Sequence, residues 1–357
     1  MKPTQKLHEM GQSLWLDNIT RGLLNSGTLA TYIDEYSVTG LTSNPTIFDH
    51  AIKNSHDYDD PIHDGIEKKI APEEIFFNLA IEDLRRAADL FLPIHKITNG
   101  VDGWVSLEVS PLLAHDTSKT LAAAKALHAR AGRTNLFIKI PGTTEGFPAI
   151  EEAIFSGVPV NVTLLFSSDQ YAAAAEAYLK GVERRIEAGL NPDVASVASL
   201  FVSRWDVAIA HKTPERLHNR LGIAVAGQTL QSYEDVLSSR RWQRIFNEGA
   251  RAQRLLFAST GHKDPKAADT LYVESLAAPF TINTMPEATL KAFKDHGILG
   301  SLAPARAFEV LAEFSDADID VAALATQLQD EGTASFVKSW NDLLTCVASK
   351  GRVLQPA

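Results

Sequence analysis

The sequence contains very little cysteine and no long hydrophobic run. Cys346 is the single cysteine among 357 residues, which excludes internal disulfides and a cysteine-based zinc cluster. No apolar run approaches the roughly 20 residues that a membrane-spanning helix needs. The N-terminal stretch from Met1 to Trp15 also lacks the apolar core of a signal peptide. We therefore expect a soluble, cytoplasmic protein without a membrane partner.

Positive charge is scarce as well. Lys and Arg together number 34 against 44 Asp and Glu, which gives a formal net charge of -10. A negative field of this size disfavours general binding to nucleic acid or to anionic membranes. A small anionic ligand would need a positive pocket built locally from a few side chains.

The sequence also lacks the common cofactor motifs. No G-x-G-x-x-G follows a predicted strand, and the Pro141–Gly146 segment has no G-K-[ST] ending of a phosphate-binding loop. His50, His56 and His63 are interleaved with aspartates, but their spacing fits no tight metal motif. We interpret that stretch as a polar loop and expect neither a metal nor another cofactor.

Short apolar strands alternate with long amphipathic helices along the chain, which is typical of parallel α/β folds. Eight strands are the number that closes a (β/α)8 TIM barrel. We predict one such domain over residues 1–357, with a helical insertion around 205–250 and a helical C-terminal tail from about 300 that packs across the barrel mouth or its flank. The predicted strands are Ser13–Asp17, Gly40–Asn44, Gly103–Val109, Leu136–Pro141, Val158–Phe166, Ser196–Val202, Arg254–Ser259 and Phe280–Thr284.

Lys139 is a lone charge inside one of these apolar strands, directly before a Pro-Gly turn. An ammonium in a dry interior either finds a partner or loses its proton. A neutral lysine is a nucleophile towards carbonyls and forms Schiff bases. The alternative is a structural lysine whose stem packs while its head reaches water.

Other strands carry polar residues towards the same end, where barrel enzymes place their chemistry. A single buried polar residue is usually satisfied structurally, but a set of them at one end of a barrel costs stability and favours an active site. Ser199 and Phe201 share one face of the sixth predicted strand. The polar set consists of Asp17, Asn44, Glu108, Lys139, Asn161 and Thr163.

These strand ends resemble those of transaldolases, particularly the longer bacterial type, over essentially the whole chain. The similarity rests on six segments in the same order, each at a predicted strand end. They are Ser13–Asp17, Leu41–Thr46, Val105–Val109, Ile138–Thr143, Asn161–Ser167 and Ser199–Arg204.

The resemblance implies a class I barrel enzyme of the non-oxidative pentose phosphate pathway. Such an enzyme moves a dihydroxyacetone unit from sedoheptulose 7-phosphate or fructose 6-phosphate to an aldose phosphate. Its partners would be small sugar phosphates, and its state a monomer or homodimer. Two alternatives stay open: an aldolase that releases free dihydroxyacetone, and a sugar-phosphate binding protein without catalysis.

The resemblance also implies roles for the catalytic set. Lys139 would form the Schiff base with the ketose. Asp17 would take and return the proton of the C4 hydroxyl, and Glu108 with Thr163 would activate a water.

Further residues would bind the substrate. By the same resemblance, Asn44 and Asn161 would hydrogen-bond substrate hydroxyls, while Ser199 and Phe201 would line the pocket. Arg204 matches the arginine with which the family binds phosphate. Alternatively, Arg204 has a structural role at the start of a helix, where it pairs with Asp206. The loop after the seventh strand lies where barrels often bind phosphate. It lacks the second arginine of shorter relatives and offers Ser259, His262 and Lys263 instead.

Overall fold

The computed structural model describes residues 1–353, so residues 354–357 of the predicted domain lie outside it. Eight parallel strands form one sheet in the order β2-β1-β8-β7-β6-β5-β4-β3. The predicted (β/α)8 barrel is confirmed. Its strands are β1 (Ser13–Asp17), β2 (Val38–Thr42), β3 (Val105–Glu108), β4 (Leu136–Pro141), β5 (Val160–Leu165), β6 (Ser196–Phe201), β7 (Gln253–Ala258) and β8 (Ile282–Met285).

The barrel closes where β2 approaches β3. The two strands are joined by a parallel bridge between Gly40 and Trp104, with the Leu41 amide donating to the Trp104 carbonyl at 2.9 Å. A β carbon on Gly40 would lie 2.7 Å from the Trp15 ring and 2.8 Å from the Trp104 carbonyl oxygen. Because no side chain fits in that space, closure at this point requires glycine.

Helices follow almost every strand and cover the outside of the barrel. The residues described contain α1 (Pro3–Glu9), α2 (Arg21–Asn25), α3 (Thr28–Tyr36), α4 (Pro45–Lys53), α5 (Asp59–Glu67), α6 (Pro72–Ile97), α7 (Thr117–Ala131), α8 (Gly146–Phe155), α9 (Ser168–Glu187), α10 (Ser203–Ile209), α11 (Leu221–Ser238), α12 (Arg240–Asn247), α13 (Leu271–Ser275), α14 (Glu287–His296), α15 (Pro304–Ser315) and α16 (Val321–Val353). None of them is both long and apolar enough to cross a membrane.

The barrel interior is stacked in layers along the strands. Trp104 stacks on Phe137 with ring centroids 4.1 Å apart, and Trp15 lies 6.2 Å from the same ring. Side chains alternate along a strand, so the residue two positions later faces the same side. In β1 that residue is Asp17 and in β4 it is Lys139. The ionisable residues therefore lie on a floor of aromatic rings.

One prediction about the histidines needs correction. The stretch with His50 and His63 is not one loop, because these two residues lie within α4 and α5, and only His56 lies in the turn between the helices. The predicted C-terminal helical extension is present as α15 and α16, which are separated at 316–320 where the backbone leaves helical geometry. Its last helix, α16, crosses the carboxyl ends of the strands: the Gln329 amide donates to the carbonyls of Gly142 and Leu164 at 2.8 and 2.9 Å.

The opposite, amino-terminal end of the barrel is held by a buried charged cluster. Arg254 donates to the Ser13 hydroxyl at 2.6 Å and lies 3.4 Å from Asp102. The Asp102 carboxylate also accepts hydrogen bonds from Ser13 at 2.6 Å and from Trp15 at 3.2 Å. One acidic side chain just before β3 thus connects two strands, β1 and β7, through their side chains.

Replacing Asp102 by Ala should lower the free energy of unfolding by roughly 3–5 kcal/mol, because the buried Arg254 loses its counter-charge. Urea unfolding of the variant measures this loss. Asp89→Ala is the matched control, since Asp89 pairs with Arg133 at the surface. It should cost about 1 kcal/mol or less. Equal costs for the two variants would contradict a structural role for the cluster.

Candidate active site

Lys139 lies at the centre of a row of polar residues that the strand register lines up. In register, Glu108 of β3 faces Lys139 of β4, and Lys139 faces Asn161 of β5. The lysine Nζ is 3.2 Å from the Glu108 carboxylate and donates to the Ser43 carbonyl at 3.0 Å. Only 6% of the Lys139 side chain is exposed, so its head does not reach bulk water. The partners of this side chain, Glu108 and the Ser43 carbonyl, both lie inside the barrel.

Glu108 and Thr163 carry unused hydrogen-bonding capacity beside this lysine. Among the residues described, the Glu108 carboxylate accepts no well-formed hydrogen bond and the Thr163 hydroxyl has no partner. Burial raises the pKa of Glu108, the Lys139 ammonium opposes that rise, and the Asp17 charge adds to it. A carboxyl with a raised pKa next to an amine is suited to exchanging protons with it.

Asp17 ends β1 and shares a register row with Thr42 of β2. The Thr42 hydroxyl donates to the Asp17 carboxylate at 2.6 Å and is 2.7 Å from the Thr284 hydroxyl. Burial raises the pKa of Asp17, while the hydrogen bond from Thr42 and the charge of Lys139 partly offset it. Asp17 is therefore a second carboxyl near Lys139 whose proton affinity is set by its surroundings.

The two predicted asparagines occupy different settings. Asn44 caps α4, where its side-chain oxygen accepts from the Ile47 amide at 3.0 Å, and it also lines the cavity. Asn161 is fully buried, donates to the Ser106 hydroxyl at 3.1 Å and accepts from the Ser199 hydroxyl at 2.7 Å. Ser199 lines the cavity, so Asn161 reaches it through that serine.

Arg204 lies near the start of α10, half-buried against aromatic rings. Its guanidinium carbon is 5.2 Å from the Phe201 ring centroid and 5.8 Å from that of Phe336. The alternative pairing with Asp206 is wrong, because that carboxylate accepts from the Leu221 amide and the Tyr272 hydroxyl instead. Burial lowers the pKa of Arg204, yet a guanidinium stays charged at neutral pH.

These side chains meet around one cavity of about 250 Å³ at the carboxyl ends of the strands. Two predicted residues, Glu108 and Asn161, lie just behind its wall. Three residues also line the cavity although the sequence assigned them no role: Thr42, Thr284 and Phe336. Thr42 lies in the Leu41–Thr46 segment that resembles transaldolases, whereas no sequence motif indicated the other two. The predicted residues in the wall are Asp17, Asn44, Lys139, Thr163, Ser199, Phe201, Arg204, Ser259 and Lys263.

The arrangement can perform covalent carbonyl chemistry near an anion site. It combines a buried amine, two carboxyls of raised pKa and two cationic side chains. Arg204 lines the cavity and, among the residues described, makes no hydrogen bond or ion pair; the charge that acts on it is that of Glu331. An arginine in this state is suited to a phosphate group.

The chain is similar to known proteins over nearly its whole length. Residues 14–347 match the model of the family described as Transaldolase/Fructose-6-phosphate aldolase. A transaldolase of Thermobifida fusca is 44% identical over 362 residues, covering 98% of this chain and 98% of that protein. A transaldolase of Parafrankia sp. is 43% identical over 97% of each chain. Transaldolase 2 of Nostoc sp. is 37% identical over 98% of each.

The raised pKa of Asp17 predicts how stability depends on pH. The folded state holds this proton more tightly than the unfolded state, so the contribution of Asp17 to the stability of the wild type falls as the pH rises. The window begins near the unfolded carboxyl value of about 4 and ends at the higher folded value. Asp17→Asn keeps an acceptor for Thr42 but does not titrate.

The stability of Asp17→Asn relative to wild type should therefore increase with pH across that window and then level off. Urea unfolding of both proteins at a series of pH values from about 4 to 8 measures the difference. A difference that stays flat, or that falls as the pH rises, would show that burial does not raise this pKa.

Proposed function

This chain belongs to the transaldolase/fructose-6-phosphate aldolase family and has transaldolase function, and we propose that it works through a Schiff base on Lys139. The family implies sugar phosphates as substrates. One observation carries the assignment to Lys139: a lysine only 6% exposed, paired with a buried carboxylate at 3.2 Å, at the carboxyl end of a barrel strand.

The first step joins Lys139 to the ketose. The ammonium gives a proton to Glu108, and the neutral Nζ attacks the C2 carbonyl carbon. The resulting carbinolamine loses its oxygen as water, and the C2–N iminium forms. Ammonium and ketone thus become iminium and water, with Glu108 and Thr163 moving protons through a held water. The raised pKa of Glu108 supports its part as a proton acceptor.

The second step breaks the C3–C4 bond. Its electron pair moves into the C2–C3 bond while the iminium becomes an enamine, so the cation serves as the electron sink. The C4 hydroxyl gives its proton to Asp17, and the aldose leaves as an aldehyde. An incoming aldehyde is attacked by C3 of the enamine and receives the proton back. Hydrolysis then frees the new ketose and Lys139.

The substrate is held at both ends of the cavity. Asn44 and Ser199 line it beside Lys139 and supply polar atoms for the hydroxyls of the three-carbon fragment. Asn161 orients Ser199 through the hydrogen bond between them. Holding this fragment matters, because an enamine that takes a proton from water is released and the transfer fails.

The phosphate binds at the rim of the cavity. Arg204 and Lys263 both line it, as does the Ser259 hydroxyl, which is 2.9 Å from that of Ser203. An arginine fork with a neighbouring ammonium provides the local positive charge that the acidic chain otherwise lacks. Lys263 therefore takes the place of a second arginine.

Donors are fructose 6-phosphate or sedoheptulose 7-phosphate, in the non-oxidative pentose phosphate pathway. The proposal includes the cytoplasmic location, the single barrel domain and a monomeric or homodimeric state expected from the sequence. Sedimentation of the purified protein measures the last of these. No observation on the site favours release of free dihydroxyacetone or binding without catalysis.

Replacing Lys139 by Arg should abolish the covalent adduct that borohydride traps with fructose 6-phosphate, because a guanidinium forms no Schiff base. Mass spectrometry of digested protein locates the adduct. Lys180→Arg, at an exposed lysine, is the control and should trap normally. Trapping with and without erythrose 4-phosphate shows whether the fragment is transferred. Normal turnover of Lys139→Arg would end the proposal.

Variants of the two carboxyls should stop different steps. Glu108→Gln removes the proton acceptor beside the amine and should slow adduct formation by about 10²–10⁴-fold. Asp17→Asn should form the adduct but not cleave it, so trapped ketose accumulates while glyceraldehyde 3-phosphate does not appear. Rapid-quench measurement of both products separates the steps. Identical profiles for the two variants would refute the division of roles.

A further inference from the structure

Helix α16 presents three residues of one face to the cavity mouth. Gln329, Gly332 and Phe336 are spaced by three and four positions, so they lie on the same side of the helix. We propose that this face, here called the α16 strap, positions Arg204 for the substrate phosphate. The inference rests on the proposed function, because it concerns how that site recognises its substrate.

The strap is fixed firmly to the barrel. Trp340, 1% exposed, packs edge-on against Phe76 with ring centroids 5.2 Å apart. Near the mouth, the Thr46 hydroxyl donates to Ser339 at 2.8 Å, which ties the strap to α4. These contacts hold α16 just beyond Phe336, and the hydrogen bonds of Gln329 hold it at the other end of the face.

Gln329 supports the strand ends that carry Lys139 and Thr163. Its amide donates to the carbonyls of Gly142, just beyond β4, and of Leu164 in β5. Leu164 has a φ of 60°, and the pairing of β5 with β6 shifts register around it. This strained bulge exposes a carbonyl that the strand pairing leaves free, and the glutamine satisfies it.

Gly332 makes room for the arginine. A β carbon at this position would lie 3.1 Å from the Arg204 Nη1 and 3.1 Å from a Leu164 methyl. A larger residue here would require the guanidinium or the Leu164 methyl to move. The backbone of the strap thus serves as one wall of the arginine's site.

Phe336 completes that site from the next turns of the helix. Its ring and that of Phe201 are 6.4 Å apart, and the Arg204 guanidinium lies near both, at 5.8 and 5.2 Å. Neither ring occupies the hydrogen-bond donors, so these remain free for a phosphate. Without the strap the long side chain would have to lose rotamer freedom when the substrate binds.

Phe336 is therefore a positioning residue for phosphate recognition. Phe336→Leu should raise KM for fructose 6-phosphate by about 5–20-fold, with kcat changed by less than about twofold. Adduct formation with dihydroxyacetone, which has no phosphate, should be unchanged. Phe246→Leu, on an exposed residue of α12, is the matched control and should leave both measurements unchanged.

A double-variant test separates positioning from simple contact with the sugar. In an Arg204→Ala background, Phe336→Leu should add little further loss, because the effect passes through the arginine. Equal losses in both backgrounds, or an equal loss with dihydroxyacetone, would overturn the inference. If the wild type itself forms no adduct at Lys139, the proposed function fails instead.

Gly332→Ala provides a variant that should fold well. Alanine favours helix over glycine, so the melting temperature should not fall, yet KM for fructose 6-phosphate should rise by about 3–10-fold. Thermal unfolding and steady-state kinetics measure the two effects. An unchanged KM in a folded Gly332→Ala variant would show that the strap does not set the position of Arg204.

Discussion

The ion pair between Lys139 and Glu108 is the interaction on which the rest of the site depends. Both side chains are buried, so removing either partner leaves an uncompensated charge on a floor of aromatic rings. Burial alone would favour the neutral form of Glu108 by raising its pKa, and the charge of Lys139 opposes that rise. Their 3.2 Å separation places a carboxylate directly beside the amine, as the proposed Schiff-base step requires.

The parallel sheet explains how such a pair forms at all. Neighbouring strands of the barrel set residues side by side in rows, and the alternation along each strand decides which rows face inward. One inward layer is aromatic, and the layer beyond it holds Asp17 and Lys139, with Glu108 and Asn161 in register with the lysine. The charged cluster of Asp102 and Arg254 closes the other end. The aromatic layer thus lies in the middle of the barrel, and the polar layer, which costs folding stability, lies at the end where the cavity opens.

Sequence patterns predicted the strands well and the long-range contacts poorly. Apolar runs located all eight strands, although β2 was placed about two residues late, since Ser43 and Asn44 already belong to the turn and cap of α4. Polar residues at the strand ends identified Lys139 and its neighbours, because the order of the strands in the barrel determines which strand ends lie next to each other. No sequence signal distinguished Phe336 from an ordinary core residue of a helix. Its contact with Arg204 joins positions far apart in sequence, and periodicity carries no information about such contacts.

Lys139 lies at the point where the barrel closes. Among the residues described, one bridge at Gly40 joins β2 to β3 at the seam where the barrel closes, which is fewer paired residues than any other two neighbouring strands have. Lys139 reaches across it, touching Ser43 just after β2 and Glu108 at the end of β3. An ammonium has three N–H groups, whereas an iminium keeps at most one. In the proposed covalent intermediate, the Lys139 nitrogen therefore gives up at least one of its two contacts across this seam.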